Sequence, residues 1–222
     1  MSAYEDWIKF GVQFKNQKSA LYRSVGLRHK KDCIDDNDEL LAFIESRQDE
    51  AIALYEGKKK EYIKLFKYFS RKNPLIRNLK AISGIDNIFA VRIYSIVIDA
   101  SRFKNKYKYW SYAGLVKHEK ESGGRNYGKR NPRYSRRLKN IYKSAAVTAI
   151  NGENDIREYY EYLLGTGLPM LKARNSIARY IAKVSYAMLK NKTTYIPLDF
   201  CKIEKIKYWV KNANSYIKSC NG

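Results

Sequence analysis

The stretch DDNDELLAFIESRQDEAIALYEGKKKEYIKLFKYFSRKN, residues 35–73, contains no proline and repeats a set of positions at alternating steps of three and four. Such spacing is typical of a helix that packs against another helix through knobs-into-holes contacts. Acidic residues at the start of the stretch offer N-cap oxygens. We therefore predict a long helix that forms a coiled coil or helical hairpin and mediates a homodimer. The predicted seam consists of Leu41, Ile44, Gln48, Ala51, Tyr55, Lys58, Tyr62, Leu65 and Phe69.

The residues before this stretch predict a partner helix from about Tyr4 to Ser24, which ends near Gly26. Its expected apolar face is formed by Trp7, Phe10, Phe14, Leu21 and Val25. Because both helices are amphipathic and adjacent in sequence, residues 1–74 are predicted to form a helical coiled-coil region.

After Pro74 the pattern predicts a short helix over 75–82, a turn at Ser83-Gly84-Ile85-Asp86 and an apolar helix over 87–99. This is the shape of a helix-hairpin-helix, in which backbone N–H groups at the turn face a phosphate. Asp86 stands where the strongest version of the motif has a second glycine. A plain turn between two core helices is the alternative interpretation.

Two further amphipathic helices are predicted near the C-terminus. The first has Pro169 at its first position and an expected buried stripe of Leu171, Ile177, Ala178, Ile181, Val184 and Met188. The second follows Pro197 and repeats Phe200, Ile203, Ile206, Val210, Ala213 and Ile217 at helical spacing. We thus predict an all-α fold with boundaries at 1–74, 75–196 and 197–222.

The charge of the chain points to a polyanionic partner. Its 222 residues include 44 Lys and Arg against 22 Asp and Glu, a formal net charge of +22. Counterion release from a phosphate backbone would then supply much of the binding free energy. Nucleic acid is the first partner that we expect. A ribosomal or other RNA-packing protein, or a basic surface that only keeps the chain in solution, are the alternatives.

Positive charge is densest in residues 117–143, which we call the basic segment; it contains ten Lys or Arg and two Glu. Its glycines cluster between residues 122 and 128, so we predict a flexible loop that leads into a basic helix. A solvated charged loop is the alternative. The predicted nucleic-acid contacts are Ser83, Gly84 and Ile85 in the turn, and Gly123, Gly124, Arg125, Lys129, Arg130, Arg133, Arg136, Arg137 and Lys139 in the basic segment.

The three cysteines, Cys33, Cys201 and Cys220, are far apart and lack metal-ligand spacing, so we interpret them as free thiols in a reducing cytosol. Neither His29 nor His118 lies near an Asp or Cys suggestive of a triad. Apolar runs fall short of a membrane span and the N-terminus has no signal-peptide core. We expect no metal, no cofactor and no membrane partner, and a cytoplasmic, nucleoid-associated protein.

Several segments, taken in order, resemble one family. They are 79–86 (LKAISGID), 101–103 (SRF), 110–115 (WSYAGL), Ser122-Gly123, the basic stretch up to Ala145-Ala146, 172–179 (KARNSIAR) and 187–190 (AMLK). Together they resemble the C-terminal domain of DEDD-type insertion-sequence transposases, the group that includes the pilin-gene invertases and the bridge-RNA-guided recombinases. Residues 14–21 (FKNQKSAL) are similar to the start of that family's coiled coil.

The resemblance implies that Ser122 stands at the position of the serine that joins covalently to DNA in the family. Family members also carry an RNase H-like domain whose four acidic residues hold divalent metal, and no acidic quartet embedded in strands occurs here. We expect a transposase-derived DNA-binding protein without its own metal nuclease, in which Ser122 alone is inert. The alternatives are strand transfer through Ser122 with a separate RNase H-like subunit, and an RNA-binding scaffold; a structured guide RNA is a further implied partner.

The chain departs from the family pattern after the serine. The pattern is only partly kept, as Asn131-Pro132-Arg133 and Arg137-Leu138-Lys139. Nearby hydroxyl groups at Ser111, Ser135 and Ser144 are alternatives to Ser122, although each is expected to be a helix cap or a surface residue.

Overall fold

The structure, a computed structural model, describes residues 2–29, 32, 38–123, 125–130 and 133–197. In these residues eight helices and one two-stranded hairpin are present, so the fold class is all-α, as predicted, with the hairpin as an addition. In chain order the elements are α1 (Ser2–Ser24), α2 (Glu39–Lys72), α3 (Pro74–Leu79), α4 (Asn87–Val97), α5 (Lys106–Tyr112), β1 (His118–Ser122), β2 (Arg125–Arg130), α6 (Arg136–Ile150), α7 (Asp155–Gly165) and α8 (Met170–Asn191).

The chain divides into two compact units, Met1–Phe69 and Ser70–Gly222. The division falls inside α2, whereas our sequence boundary lies after residue 74. The predicted amphipathic helix beyond Pro197 and all three cysteines lie outside the described residues. No described helix combines the length and apolar content that a membrane crossing needs.

In the first unit, α1 and α2 form an antiparallel helical hairpin. The Tyr4 ring lies 5.1 Å from that of Phe66, near the end of α2, and the Tyr22 hydroxyl donates a hydrogen bond to Glu45, near its start. At mid-length Gly11 lies against the ring of Tyr55, so closely that a Cβ atom there would be 2.5 Å from the ring. Glycine at this position lets the two helices approach each other.

The buried face of α1 differs from the predicted one. Tyr4, Gly11 and Tyr22 are buried, whereas Phe10 and Val25 are exposed. This face was not identified in the sequence because it consists of two tyrosines, which carry polar hydroxyls, and a glycine. A search for apolar residues omits all three. The face nevertheless recurs at helical spacing, because the steps of seven and eleven residues between these positions are two and three turns of helix.

The predicted seam of α2 holds up to Tyr62 and then shifts by one residue. Beyond that point Phe66 and Ser70 are buried, while Leu65 and Phe69 are exposed. An α-helix has 3.6 residues per turn, so a strict 3.5-residue pattern drifts around the helix by about 20° per heptad. After three heptads the residue one position further along, Phe66, faces α1. The edge contacts of the Tyr4 ring with Tyr62 and Phe66 stabilise this packing.

The core of the second unit is formed by α6 packed on α8. Small residues, Ala145, Ala146 and Ala149 on α6 and Ala173, Ala178 and Ala182 on α8, are all buried. Small side chains let the two helices pack closely. Leu171, predicted to be buried, is 71% exposed, and Ala173 takes its place in the core. Leu171 lies in the first turn of α8, whose predicted stripe is otherwise buried or half-buried.

A chain of three hydroxyl groups crosses this core. The Tyr109 and Tyr142 hydroxyls are hydrogen-bonded to each other, and the Tyr142 hydroxyl lies 2.7 Å from Ser185 Oγ. All three side chains are fully buried. Buried hydroxyls cost free energy unless they are paired, so this chain ties α5, α6 and α8 together in one arrangement.

Candidate nucleic-acid interface

The first turn of α6 carries a surplus of positive charge. Ser135 caps the helix, with its side chain accepting a hydrogen bond from Leu138 N at 3.2 Å, as expected for a cap. Arg136 and Arg137 follow at once and are exposed, and no acidic residue is present in this turn. Cations at a helix N-terminus face the positive end of the helix dipole, which is unfavourable unless an anion is close. Arg136 and the N-terminus of α6 are therefore suited to contact an anion.

The segment before α6, predicted as a flexible loop, is a β-hairpin. Its strands pair antiparallel, with His118 opposite Arg130 and Ser122 opposite Arg125. Gly123 follows β1 directly and has a φ of 56°, which glycine adopts without strain. A bulge between the pairs 119/129 and 121/126 coincides with Gly128 at a φ of 94°. The two-residue Gly-Gly turn was the sequence signal for this hairpin.

The hairpin contributes several of the predicted contacts. Arg125 is exposed at the start of β2, and Lys129 and Arg130 are at its end. Ser122 is the last residue of β1, next to the turn. The side chains of Ser122, Lys129 and Arg130, and Gly124 as a whole, lie outside the described part of the chain. Arg133 is exposed between the hairpin and α6.

A cleft of about 410 Å³ lies between the end of α5, the residue before β1, α6 and α8. We call it the cationic cleft. It is lined by Gly114, Leu115, Val116, Lys117, Lys139, Lys143, Asn175 and Arg179. Four of these side chains are cationic, and none of the lining residues that the structure describes is a carboxylate.

Helical spacing brings these cations together. Lys139 and Lys143 are one turn apart on α6, and Asn175 and Arg179 are one turn apart on α8. Trp110 Nε1 donates a 2.9 Å hydrogen bond to the Arg179 carbonyl oxygen, which ties α5 to α8 beside the cleft. Ile141 and Tyr142, which lie between the two lysines on α6, are buried and fix the face that the lysines present.

Aromatic and polar neighbours orient two of the cations. The Lys139 ammonium lies 4.7 Å from the ring centroid of Tyr134, and Arg179 Nη2 donates to Ser176 Oγ at 3.0 Å. The Tyr134 ring packs on Gly114, where a Cβ atom would be 2.4 Å from the ring. Neither neighbour is an anion, so both cations keep their charge for a ligand.

The sequence analysis named Lys139 as a contact but did not name Lys117, Lys143 or Arg179, which line the cleft with it. Lys117 and Lys143 end the basic segment, and Arg179 lies in a separate helix. Arg179 is four residues from Asn175 and on the side of α8 away from its predicted stripe, which was the available signal. Packing between distant elements decides which cations share a cleft, so spacing along one helix could not identify the set.

The Gly84 turn belongs to the packing of the unit and not to the cleft. Gly84 has a φ of 85°, and a Cβ atom there would lie 2.2 Å from the Ala145 carbonyl oxygen of α6. Ile85 is buried. Asp86 caps α4, with its carboxylate accepting from Phe89 N at 2.7 Å, so a negative charge already occupies this helix start. Of the alternatives open in the sequence, the geometry favours a turn between core helices, and Ser83, Gly84 and Ile85 are left out of the interface proposed below.

No group of three or more His, Cys, Asp or Glu residues within the described ranges is arranged to hold a metal ion. His29, for example, lies 3.3 Å from Ser19 Oγ and against the ring of Tyr22. Its neighbours are those of a packed surface residue.

The segment that contains the β-hairpin and α6 is similar to known proteins. Residues 76–161 match the model of the Transposase IS116/IS110/IS902 family. The chain is also 32% identical over 120 residues to the insertion element IS116 uncharacterized 44.8 kDa protein of Streptomyces clavuligerus. This alignment covers 54% of the chain and 30% of the Streptomyces protein, so the chain spans less than a third of that relative. The segment that carries Lys117, Lys139 and Lys143 is thus similar to insertion-element transposases, in agreement with the resemblance seen in the sequence.

Proposed function

We propose that the chain is a transposase-derived protein that binds DNA through the cationic cleft, the first turn of α6 and the hairpin. The observation that carries this proposal is the convergence of Lys117, Lys139, Lys143 and Arg179 on one cleft without a carboxylate among the described lining residues. Four like charges held together are costly unless a polyanion neutralises them. A nucleic-acid backbone supplies phosphates at regular spacing.

The bound phosphates would be recognised mainly through charge. Lys139, Lys143 and Arg179 supply N–H donors to phosphate oxygens, and Asn175 supplies an uncharged donor on the same wall. Arg125 and Arg133, exposed nearby in the chain, extend the surface toward the hairpin. Contacts of this kind position a protein on the backbone and carry no base sequence, so we expect affinity that depends on salt more than on sequence.

Strand transfer through Ser122 is the alternative that family resemblance suggests. A serine hydroxyl needs a base or a metal ion to become a good nucleophile. No metal cluster is present in the described residues, so that chemistry would require a metal-binding domain from the same or another polypeptide. We therefore assign binding, and not covalent transfer, to the residues described here. This proposal also includes a relation to the DEDD-type transposases. A structured guide RNA and a separate nuclease subunit are proposed as partners.

Competition binding tests the proposal. Labelled duplex DNA is bound to the chain and displaced with unlabelled duplex DNA, single-stranded DNA or structured RNA at two salt concentrations. We expect duplex DNA to compete best, and the Lys143→Ala/Arg179→Ala variant to bind all duplexes more weakly. Preference for structured RNA that survives high salt would support the scaffold alternative instead.

A second assay addresses Ser122. The chain is incubated with element-end DNA and a divalent metal, and denaturing gels are searched for a covalent protein–DNA band. We expect no band from this chain alone. A band that disappears in Ser122→Ala would show strand joining and overturn the assignment of binding alone.

A further inference from the structure

Two aromatic side chains of α5 lie next to each other at the edge of the cationic cleft. We call Tyr107 and Trp110 the aromatic pair. Their ring centroids are 5.4 Å apart and their planes are almost perpendicular, at 87°. Tyr107 is 60% exposed and Trp110 is half-buried. A tyrosine this exposed contributes little to the core, so its ring is available to a ligand.

Hydrogen bonds of Trp110 fix the aromatic pair beside the cleft. Trp110 Nε1 donates to the Arg179 carbonyl oxygen, and Leu115 N donates to the Trp110 carbonyl oxygen, each at 2.9 Å. Arg179 and Leu115 both line the cleft. Tyr107 lies about one turn of helix before Trp110 on the same side of α5. The aromatic pair therefore adjoins the cationic cleft.

The surface around the aromatic pair is cationic. Residues 105–117 include three lysines and no Asp or Glu. The Lys106 ammonium lies 5.1 Å from the centroid of the Tyr107 ring and 6.0 Å from that of Trp110. A cation held against two rings can pair with the phosphate of a nucleotide whose base lies on one of them. Rings that stack on bases, together with cations that contact phosphates, are the features by which proteins bind unpaired strands.

Base pairing decides which nucleic acid can reach these rings. In an intact duplex the neighbouring base pairs cover both faces of each base, so an aromatic side chain cannot stack on it. An unpaired nucleotide can leave the helix, because the free energy of unstacking is smallest for a base without a partner. Stacking of that base on an aromatic ring then stabilises the bound state. The ligand that fits both surfaces is a duplex that carries an unpaired nucleotide.

We infer that the aromatic pair binds an unpaired base of a DNA duplex while the cationic cleft holds the neighbouring phosphates, with Tyr107 as the main stacking surface. This inference rests on the proposed function, because the cleft has to bind the backbone. Every base has a flat face, so the preference is for an unpaired nucleotide and not for a particular sequence. Charge alone would not distinguish paired from unpaired DNA in this way.

Three duplexes of one sequence test the inference. One is fully paired, one contains a single extra adenine without a partner, and one contains an extra abasic nucleotide at the same place. We expect the wild type to bind the adenine duplex about tenfold more tightly than the other two. The abasic nucleotide also interrupts the helix but offers no base to stack. Equal binding of the adenine and abasic duplexes by the wild type would contradict the inference.

Variants of Tyr107 assign the preference to the ring. Tyr107→Ala should abolish the preference for the adenine duplex, and Tyr107→Phe should keep it because the ring remains. Tyr68→Ala is the matched control, since Tyr68 is a 49% exposed tyrosine of the other unit. It should bind all three duplexes as the wild type does. A Tyr107→Ala variant that retains the full preference would overturn the role of Tyr107.

Fluorescence measures stacking apart from affinity. The extra adenine is replaced by 2-aminopurine, whose emission falls when it stacks on an aromatic ring. At saturating protein the wild type and Tyr68→Ala should quench the emission, and Tyr107→Ala should not. Quenching that is unchanged in Tyr107→Ala would place the base elsewhere and overturn the inference.

The salt dependence distinguishes failure of this inference from failure of the proposed function. The Tyr107 ring carries no charge, so Tyr107→Ala should leave the slope of log affinity against log salt concentration unchanged. A lower slope would show that the substitution disturbs the cleft, and the evidence for stacking would be lost. Steep but equal binding of paired and unpaired duplexes by the wild type overturns this inference alone. Binding to none of the three duplexes overturns the proposed function as well.

Discussion

Gly84 packs directly on the backbone of Ala145, so closely that a Cβ atom on Gly84 would lie 2.2 Å from the Ala145 carbonyl oxygen. The turn between α3 and α4 thus rests on α6, and Asp86 beside it caps α4. A cavity of about 370 Å³ opens beside Gly84, Ile85 and Asp86, but the Asp86 carboxylate already occupies the N-terminus of α4 there, which disfavours a phosphate at this helix start. The relationship assigns Gly84 to packing of the unit that holds the cationic cleft.

Replacing Gly84 by alanine should therefore destabilise the second unit strongly. The Cβ atom would meet backbone, which cannot move aside alone, and the φ of 85° disfavours any L side chain. We expect a loss of about 2–4 kcal/mol in the free energy of unfolding, measured by urea denaturation. Gly123→Ala is the control, because that glycine also has a positive φ but faces open space. It should cost about 1 kcal/mol. Equal effects would show that strain alone, and not packing, matters at Gly84.

The stability of the α1–α2 helical hairpin should respond in opposite directions to alanine at its two helical glycines. Gly57 has no atom near its would-be Cβ, so Gly57→Ala should stabilise α2 by about 0.5–1 kcal/mol through helix propensity. Gly11→Ala would drive a methyl group into the Tyr55 ring and should destabilise the hairpin. Thermal unfolding of both variants measures the difference. Stabilisation by Gly11→Ala would mean that the helices are not packed as closely as the structure has them.

Acid should lower the stability of the α1–α2 helical hairpin through Glu45. Hydrogen bonds from the Tyr22 hydroxyl and the Lys18 ammonium hold the pKa of Glu45 below its usual value of 4.5. A carboxyl whose pKa is lowered by folding stabilises the folded state above its unfolded pKa, and this contribution is lost as the pH falls through the folded pKa. The melting temperature should therefore fall as the pH drops below about 4.5. Glu45→Gln and Tyr22→Phe should each make that fall shallower, and a wild-type slope in both variants would contradict this role.

The hydroxyl chain of the core should be sensitive to loss of one member. Tyr142→Phe leaves the Tyr109 and Ser185 hydroxyls short of a partner, and we expect a loss of about 1–3 kcal/mol. Tyr107→Phe, at an exposed tyrosine, is the control and should be neutral. Urea denaturation distinguishes the two variants. If Tyr142→Phe is as stable as the control, the chain of hydroxyls contributes nothing to the fold.

High pH should destabilise the protein through the same chain of buried hydroxyl groups. Burial raises the pKa of Tyr142 to about 12, so the folded state holds its proton more tightly than the unfolded chain does. Stability from this group is complete below the unfolded pKa of about 10 and is lost as the pH rises toward 12. Tyr142→Phe should therefore show a shallower alkaline loss of stability than the wild type.

Local patterns in the sequence predicted α1 to α4, α6 and α8, because caps, breakers and periodicity depend on neighbouring residues in the chain, whereas α5 and α7 were not predicted. The seam of α2 was correct as far as Tyr62, and the drift of a 3.6-residue helix then moved it to Phe66. The Gly-Gly turn carried a hairpin signal, but its charged strands lack the apolar alternation by which strands are recognised. The density of Lys and Arg along the sequence identified the basic segment.

The cationic cleft could not be predicted in full, because it depends on contacts between distant elements. Arg179 comes to Lys139 and Lys143 through the packing of α8 on α6, over residues that look like an ordinary amphipathic stripe. The role of Gly84 was likewise hidden, since a glycine required by a phosphate and one required by a neighbouring helix look the same in sequence. The close approach of Gly84 to the Ala145 carbonyl oxygen is the observation that favours packing.

The slope of log affinity for duplex DNA against log salt concentration tests the central claim most directly. Each cation that neutralises a phosphate contributes about one unit to this slope. We predict that Lys139→Ala/Lys143→Ala/Arg179→Ala lowers the slope by about three units for every duplex sequence. The control Lys80→Ala/Lys104→Ala removes two exposed cations of the same unit that do not line the cleft, and should leave it unchanged. A triple variant with the wild-type slope would show that DNA does not occupy the cationic cleft.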